Sequence, residues 1–188
     1  MLYLSMQGTM SENIAKVYPK DTDDSIAEYS FDITCTNCRE ANDSAVFINS
    51  FEKHEMQGSR GEASFTMKCK FCGNESSVNL SKYEEALWNP DNEEFEEASV
   101  LKPVLDLRKK NNIKHADKHS GLFLKLDCRG CDLTKFNPGN IQFIVELSSG
   151  STIEAQFEDG EDEWYDYDEE ASAEVSITDI KFDIIKGK

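Results

Sequence analysis

The sequence predicts an all-β protein of two related antiparallel β lobes, sandwich- or barrel-like, the first of which carries a four-cysteine knuckle site. Three observations predict it. Apolar residues alternate with period two in most of the structured stretches, turn chemistry such as NPGN and SSGS separates several of them, and CxxC motifs stand at strand ends.

The elements follow in order. YLSM (3–6) and IAKVYP (14–19) open the first lobe, followed by FDITC (31–35), AVFINSF (45–51), the turn GSRGE (58–62) and FTMKC (65–69). The stretch SKYEEALWNPDNEEFEEAS (81–99) has helical composition, but Pro90 interrupts it, so a connection with short turns is expected there. LRKKNNIKHADKHSG (107–121) carries Arg108, Lys109, Lys110, Lys114 and Lys118 against the single acid Asp117. Its Asn pair and polarity predict a solvated basic loop. LFLKLDC (122–128), IQFIVEL (141–147), IEAQF (153–157) and VSITDIKFDII (175–185) then supply the strands of a second lobe. The organisation read from these stretches is a cysteine-bearing β lobe over 1–98, a basic inserted loop over 99–121 and an acidic second β lobe over 122–188, with one compact unit also allowed.

The strands also hint at a duplication. YLSM followed by IAKVYP parallels FLKL (123–126) followed by LTKFNP (133–138), and YSFDITCTNC (29–38) then aligns with IQFIVELSSG (141–150). That alignment puts the CTNC knuckle where the second half has a plain SSG turn.

Composition bounds the function. The chain has 188 residues with 38% hydrophobic residues, enough for a sizeable core. The first Lys is residue 16, so a basic signal-peptide region is not evident, and no stretch approaches the roughly 18 apolar residues of a membrane span. A cytoplasmic protein, with a nuclear pool also allowed, is the expectation. A formal charge of -17 argues against general nucleic-acid binding, because phosphate affinity comes mainly from clustered Lys and Arg. From Phe136 to Ile180 there are thirteen Asp and Glu and no Lys or Arg. Trp164, Tyr165 and Tyr167 lie inside the densest run, EDGEDEWYDYDEE (158–170). The run is either a solvated face or a docking surface for a basic protein partner.

Six cysteines form three CxxC pairs: CTNC (35–38), CKFC (69–72) and CRGC (128–131). In a reducing compartment such pairs point to metal or redox chemistry rather than disulfides. A knuckle at a strand end aims two sulfurs at one point, and two knuckles complete a tetrahedral site. Cys35, Cys38, Cys69 and Cys72 are therefore the candidate ligands of one structural zinc per chain, with a rubredoxin-like iron site or a redox pair as alternatives. Thirty residues separate the two pairs, more than the usual spacing of about 15 to 20, which leaves room for an extra strand in the metal-closed loop. A closed all-thiolate site has no open position for substrate, so no enzyme activity is expected. His54, His115 and His119 form no recognisable catalytic or metal constellation. Cys128 and Cys131 lack the following helix that activates a thioredoxin-like pair, since LTKFNPG breaks at Pro138. Ordinary turn cysteines are expected there, with a metal-handling or thiol-redox role as the alternative.

ENIAKVYP, CTNC, GSRGEASFTMKCKFCGNESS, DCRG and EWYDYDEEA, in that order, closely resemble the eukaryotic CXXC-motif-containing zinc-binding protein family, formerly a domain-of-unknown-function family. The resemblance implies zinc on Cys35, Cys38, Cys69 and Cys72, two related all-β lobes and no established activity. The basic segment near 100–120 and Cys131 depart from the family pattern. Together these readings predict a monomeric zinc-bearing interaction protein without enzymatic activity.

Overall fold

The alternating stretches form strands in the computed structural model, which describes residues 1–56 and 58–187, and 48% of the chain is strand against 9% helix. The first half contributes β1 (Leu2–Met10), β2 (Ile14–Pro19), β3 (Tyr29–Cys35), β4 (Val46–Ile48), β5 (His54–Glu55), β6 (Glu62–Ala63), β7 (Phe65–Lys68), β8 (Glu75–Lys82) and β9 (Leu87–Trp88). A helix, α1 (Glu97–Lys110), precedes β10 (Gly121–Arg129), β11 (Cys131–Asn137), β12 (Phe143–Leu147), β13 (Thr152–Ala155), β14 (Trp164–Asp168) and β15 (Ala173–Lys186).

A six-stranded sheet runs β14-β15-β1-β10-β8-β7, curled and antiparallel; a second runs β13-β12-β2-β9 and a third β11-β3-β4. Each of these sheets joins strands from both ends of the sequence, so the segments 1–98 and 122–188 share hydrogen-bond ladders rather than folding into separate sheets. Leu2, Tyr3, Leu4, Ser5 and Met6 of β1 are all buried, as expected of a central strand covered on both faces. One core unites Leu4, Phe31, Val78, Phe143 and Ile177 with neighbours from every sheet but the small β5–β6 hairpin.

The pairing pattern is that of an internal pseudo-two-fold. Aligning β1, β2 and β3 with β10, β11 and β12 makes β1·β10 pair with its own counterpart, and Leu4 lies opposite Leu124, its equivalent in the alignment. The same operation turns β2·β12 into β11·β3, and both pairs exist. It turns β3·β4 into β12·β13 and β7·β8 into β14·β15, which also exist. The duplication read from short stretches of sequence is thus written in the topology of both halves.

Two sequence expectations need correction. Residues 99–110 are not loop: α1 runs from Glu97 to Lys110, beginning after the Pro90 break. Pro103 lies inside the helix on an exposed position, where water can take the carbonyl it leaves unpaired. Arg108, Lys109 and Lys110 fall in the last turn, where cations complement the helix dipole. Arg108 is not a solvated charge either. It is buried and makes a two-point pair with Glu84, Nε to Oε1 at 2.6 Å and Nη2 to Oε2 at 2.7 Å. It also donates to the Ser120 carbonyl at 2.6 Å and the Asp117 carbonyl at 2.8 Å, and Glu84 accepts from the Leu122 N–H at 2.7 Å. Burial of two charges demands such complete pairing, and it fixes the helix and the loop after it to β10. β8 was also missed in the sequence, because ESSVNLSK alternates polar with apolar residues only weakly; Ser76 and Ser77 are buried by their position between β7 and β10.

Candidate metal centre

β3 delivers Cys35 to the start of the first knuckle. Its N–H bonds the Glu40 carbonyl at 3.0 Å, and its carbonyl accepts from the Arg39 N–H at 3.0 Å. Arg39 holds φ 66, the left-handed conformation that closes the turn. The second knuckle joins β7 to β8. Cys69 N–H bonds the Asn74 carbonyl at 2.8 Å and Gly73 N–H bonds the Cys69 carbonyl at 2.8 Å, with Gly73 at φ 72 where glycine is unstrained.

These two turns bring four sulfurs together. The Sγ atoms of Cys35, Cys38, Cys69 and Cys72 all lie within 4.8 Å of one another, with Cys35 to Cys72 and Cys38 to Cys69 each 3.7 Å apart. A tetrahedral zinc with bonds of about 2.3 Å requires sulfur separations of about 3.8 Å, so the donor set fits that metal in number, softness and spacing. Cys35 and Cys69 are buried while Cys72 is exposed, so the cluster sits at the surface with one flank open.

The surroundings favour thiolates. The N–H groups of Cys38 and Asn37 aim at Cys35 Sγ and lower its thiol below the usual range. The Asn37 side chain and the Asn74 N–H hold Cys72 down at about 6. Cys38 is helped by the Glu40 N–H, but burial and the three neighbouring sulfurs push it up to about 12, the behaviour of thiols that must share protons until a cation joins them.

The third pair sits beside this cluster without joining it. Cys131 is the register partner of Cys35 in the β3·β11 ladder. The Gly130 carbonyl accepts from Thr36 N–H at 3.1 Å in the first knuckle and from Asn74 Nδ2 at 3.2 Å and Ser76 Oγ at 3.0 Å beside the second. Asn74 Nδ2 also approaches Cys35 Sγ at 3.9 Å. Gly130 has φ 72, and a Cβ there would stand 2.4 Å from the Glu75 carbonyl oxygen, so only glycine fits. CRGC is therefore a brace holding the two knuckles in register. Cys131 packs in the main core, and Cys128 is half-buried on β10. Hydrogen bonding to Cys131, with burial behind it, raises the Cys128 thiol, and the same hydrogen bond lowers Cys131. The pair lies on strands, with no helix N-terminus to activate it.

His54 bonds Glu52 at 3.0 Å on the surface, and His115 and His119 are exposed in the loop after α1, away from any cluster of ligating groups among the described residues. Sequence reasoning missed the supporting shell. Gly130, Asn74 and Ser76 act through backbone and amide groups, and only the glycine inside CRGC carried a readable signal.

A β framework whose paired hairpin turns present four thiols to one point defines the class of four-cysteine, zinc-ribbon-like metal-binding proteins. The chain belongs to the family described as CXXC motif containing zinc binding protein, eukaryotic, whose model matches residues 3–185. A relative from Saccharomyces cerevisiae, UPF0587 protein YCR090C, is 46% identical over 187 residues, covering 100% of this chain and 99% of its own. The human CXXC motif containing zinc binding protein is 26% identical over 183 residues, covering 97% and 96%. The crystal structure of C1orf123 superposes with a TM-score of 0.71 at 23% identity over 98% of each chain, which shows a shared fold.

Proposed function

We propose that Cys35, Cys38, Cys69 and Cys72 hold one structural zinc per chain and that the protein so folded is a non-catalytic interaction scaffold, docking a basic protein partner on its acidic edge. The metal reading rests on the 3.7 Å sulfur separations and the inward N–H groups. Four thiolates fill a tetrahedral shell, leaving zinc no position for water or substrate.

The docking reading rests on β14. This strand ends the six-stranded sheet, so among the described residues one side of its backbone has no strand partner. Trp164 turns inward against Phe157 with ring centroids 6.3 Å apart, whereas Tyr165 is 63% and Tyr167 48% exposed. Of the ion pairs among the described residues only Lys135–Asp159 reaches the 158–170 run, so its other carboxylates are uncompensated. An open edge with exposed aromatics and unpaired negative charge suits an extended basic segment added as a further strand. Affinity capture with the purified protein tests this. Association should weaken between about 0.15 and 1 M salt, where the Debye length falls from about 8 to 3 Å, and should slow for the D162N/E163Q/D166N variant. A partner held equally in high salt and by that variant would refute the acidic docking site.

A further inference from the structure

The pseudo-two-fold carries the zinc knuckles onto two turns of the second half, and those turns are not ordinary. The pairs Phe65↔Val78 and Lys68↔Glu75 in β7·β8 correspond to Trp164↔Ile177 and Tyr167↔Glu174 in β14·β15. With that register Cys69 superposes on Asp168, Cys72 on Ala171 and Gly73 on Ser172. Gly73 has φ 72 and Ser172 has φ 51, so the serine keeps a left-handed conformation that costs a side-chain-bearing residue strain. The other turn matches as well. Cys35 N–H and carbonyl close the first knuckle on Glu40 and Arg39, and Leu147 N–H and carbonyl close the β12–β13 turn on Ser151 and Gly150, one residue shorter. Arg39 at φ 66 then corresponds to Gly150 at φ 90, and Cys38 to Ser149. The ladders differ in length: Ile14 pairs with Leu147, whereas its equivalent Leu133 pairs with Ile33, so the first knuckle stands two residues farther along its hairpin than the β12–β13 turn.

The contact between the two turns corresponds too. Where Cys38 Sγ meets Cys69 Sγ at 3.7 Å, Ser149 Oγ donates to Asp168 Oδ2 at 2.6 Å. Asp168 is 2% exposed, and its Oδ1 accepts from the N–H groups of Glu170 at 3.0 Å and Ala171 at 3.3 Å. Those are the second and third residues along, the offsets at which the N–H groups of Asn37 and Cys38 serve Cys35 Sγ in the other knuckle of the first half. A knuckle's N–H cradle is therefore present in both halves, filled by sulfur in one and by a carboxylate in the other.

We infer that the second half holds a metal-free equivalent of the four-cysteine clip, in which Ser149 and Asp168 tie hairpin β12–β13 to hairpin β14–β15 as the metal ties β3–β4 to β7–β8, on a backbone still shaped to hold four ligands. Matched turn to turn by their closing hydrogen bonds, Leu147, Ser149, Asp168 and Ala171 are the four ligand-equivalent positions. This inference rests on the structural-zinc reading only for its metal arm.

The test is metal content of purified protein. The L147C/S149C/D168C/A171C variant should bind one zinc more than wild type, and that second metal should restore hydrogen-exchange protection to residues 147–172. A folded variant that gains no zinc overturns the equivalence of the two sites. Because four replacements can unfold the hairpins, D168A and S149A are measured alongside. Each should raise exchange at least tenfold in residues 147–172 while zinc content stays at the wild-type value. Unchanged exchange in both overturns the clip. Wild type found without zinc would refute the metal assignment in the first half, while the outcome for D168A would still decide the second.

Discussion

The two halves of this molecule close equivalent pairs of hairpins with different chemistry. The first half gathers four sulfurs around one point; the second brings together one hydroxyl and one carboxylate. Their apolar support differs in the opposite sense. In the second half Phe143, Phe157, Trp164 and Phe182 stack in a continuous group, with centroid separations of 4.8 Å for Phe143–Phe157 and 6.3 Å for Phe157–Trp164. In the first half Tyr29 and Phe31 of β3 meet Phe136 of β11, but among the described residues no aromatic pair reaches the hairpin strands β4 and β7. A hairpin pair resting on an aromatic cluster can be fastened by a hydrogen bond, whereas one with thin apolar support needs a cross-link worth far more. Zinc knuckles in small peptides contribute on the order of 10 kcal/mol, against a total stability of about 5 to 15 kcal/mol for a typical domain.

The contrast can be broken most sharply at the metal. C72S should abolish stoichiometric zinc, with a loss on the order of 10 kcal/mol of local stabilisation. Hydrogen exchange should accelerate across residues 31–80 and spread to β11, which pairs with β3, while β12–β15 stays protected. Zinc retained at one equivalent by C72S would remove the four-cysteine assignment.

The reverse experiment attacks the aromatic side. Phe143 is fully buried and touches Phe123, Phe157 and Phe182, so F143A should destabilise by about 3 to 5 kcal/mol and loosen the second half first, with zinc content unchanged. A denaturation midpoint close to wild type would show that the aromatic cluster is not what supports the metal-free half.

The connection between halves has its own anchor. R108M leaves Glu84 buried without its partner and should cost about 3 kcal/mol or more, releasing α1 in limited proteolysis. The E84L/R108M pair, having no orphaned charge, should recover most of that loss. A double variant as unstable as the single one would mean that packing, not charge pairing, holds the helix.

The smallest effect belongs to Asp168. Ser149 foremost, with the Ala171 and Glu170 N–H groups, holds its carboxyl below the ordinary carboxylate range. A depressed carboxylate stabilises the fold above its unfolded-state pKa, and that stabilisation is lost as pH falls through the folded value. Exchange in residues 147–172 should therefore quicken on acidification below about pH 4 in wild type and show a flatter response in D168N. Parallel curves for the two proteins would deny Asp168 its part in the clip.

Much of this contrast was legible in the sequence. Period-two alternation located β3, β10, β12 and β15, and the CxxC spacing selected the four sulfurs that the fold brings together. The duplication was visible through IAKVYP and LTKFNP because both halves keep the same apolar face. What escaped were features that act through backbone or through pairing with distant residues. β8 reads as a polar segment until β7 and β10 flank it. Arg108 reads as one of several exposed cations until Glu84 is found beside it. Asp168 is one carboxylate among thirteen, distinguishable only once Ser149 is brought across the fold.

The central claim is that the metal fastens the first half and only the first half. Native mass spectrometry of the purified protein before and after a strong chelator, with hydrogen exchange read on the same samples, tests it directly. The account predicts one zinc per chain, and its removal should strip protection from residues 31–80 while residues 143–177 keep theirs. A protein that surrenders its zinc with residues 31–80 protected as before would contradict it.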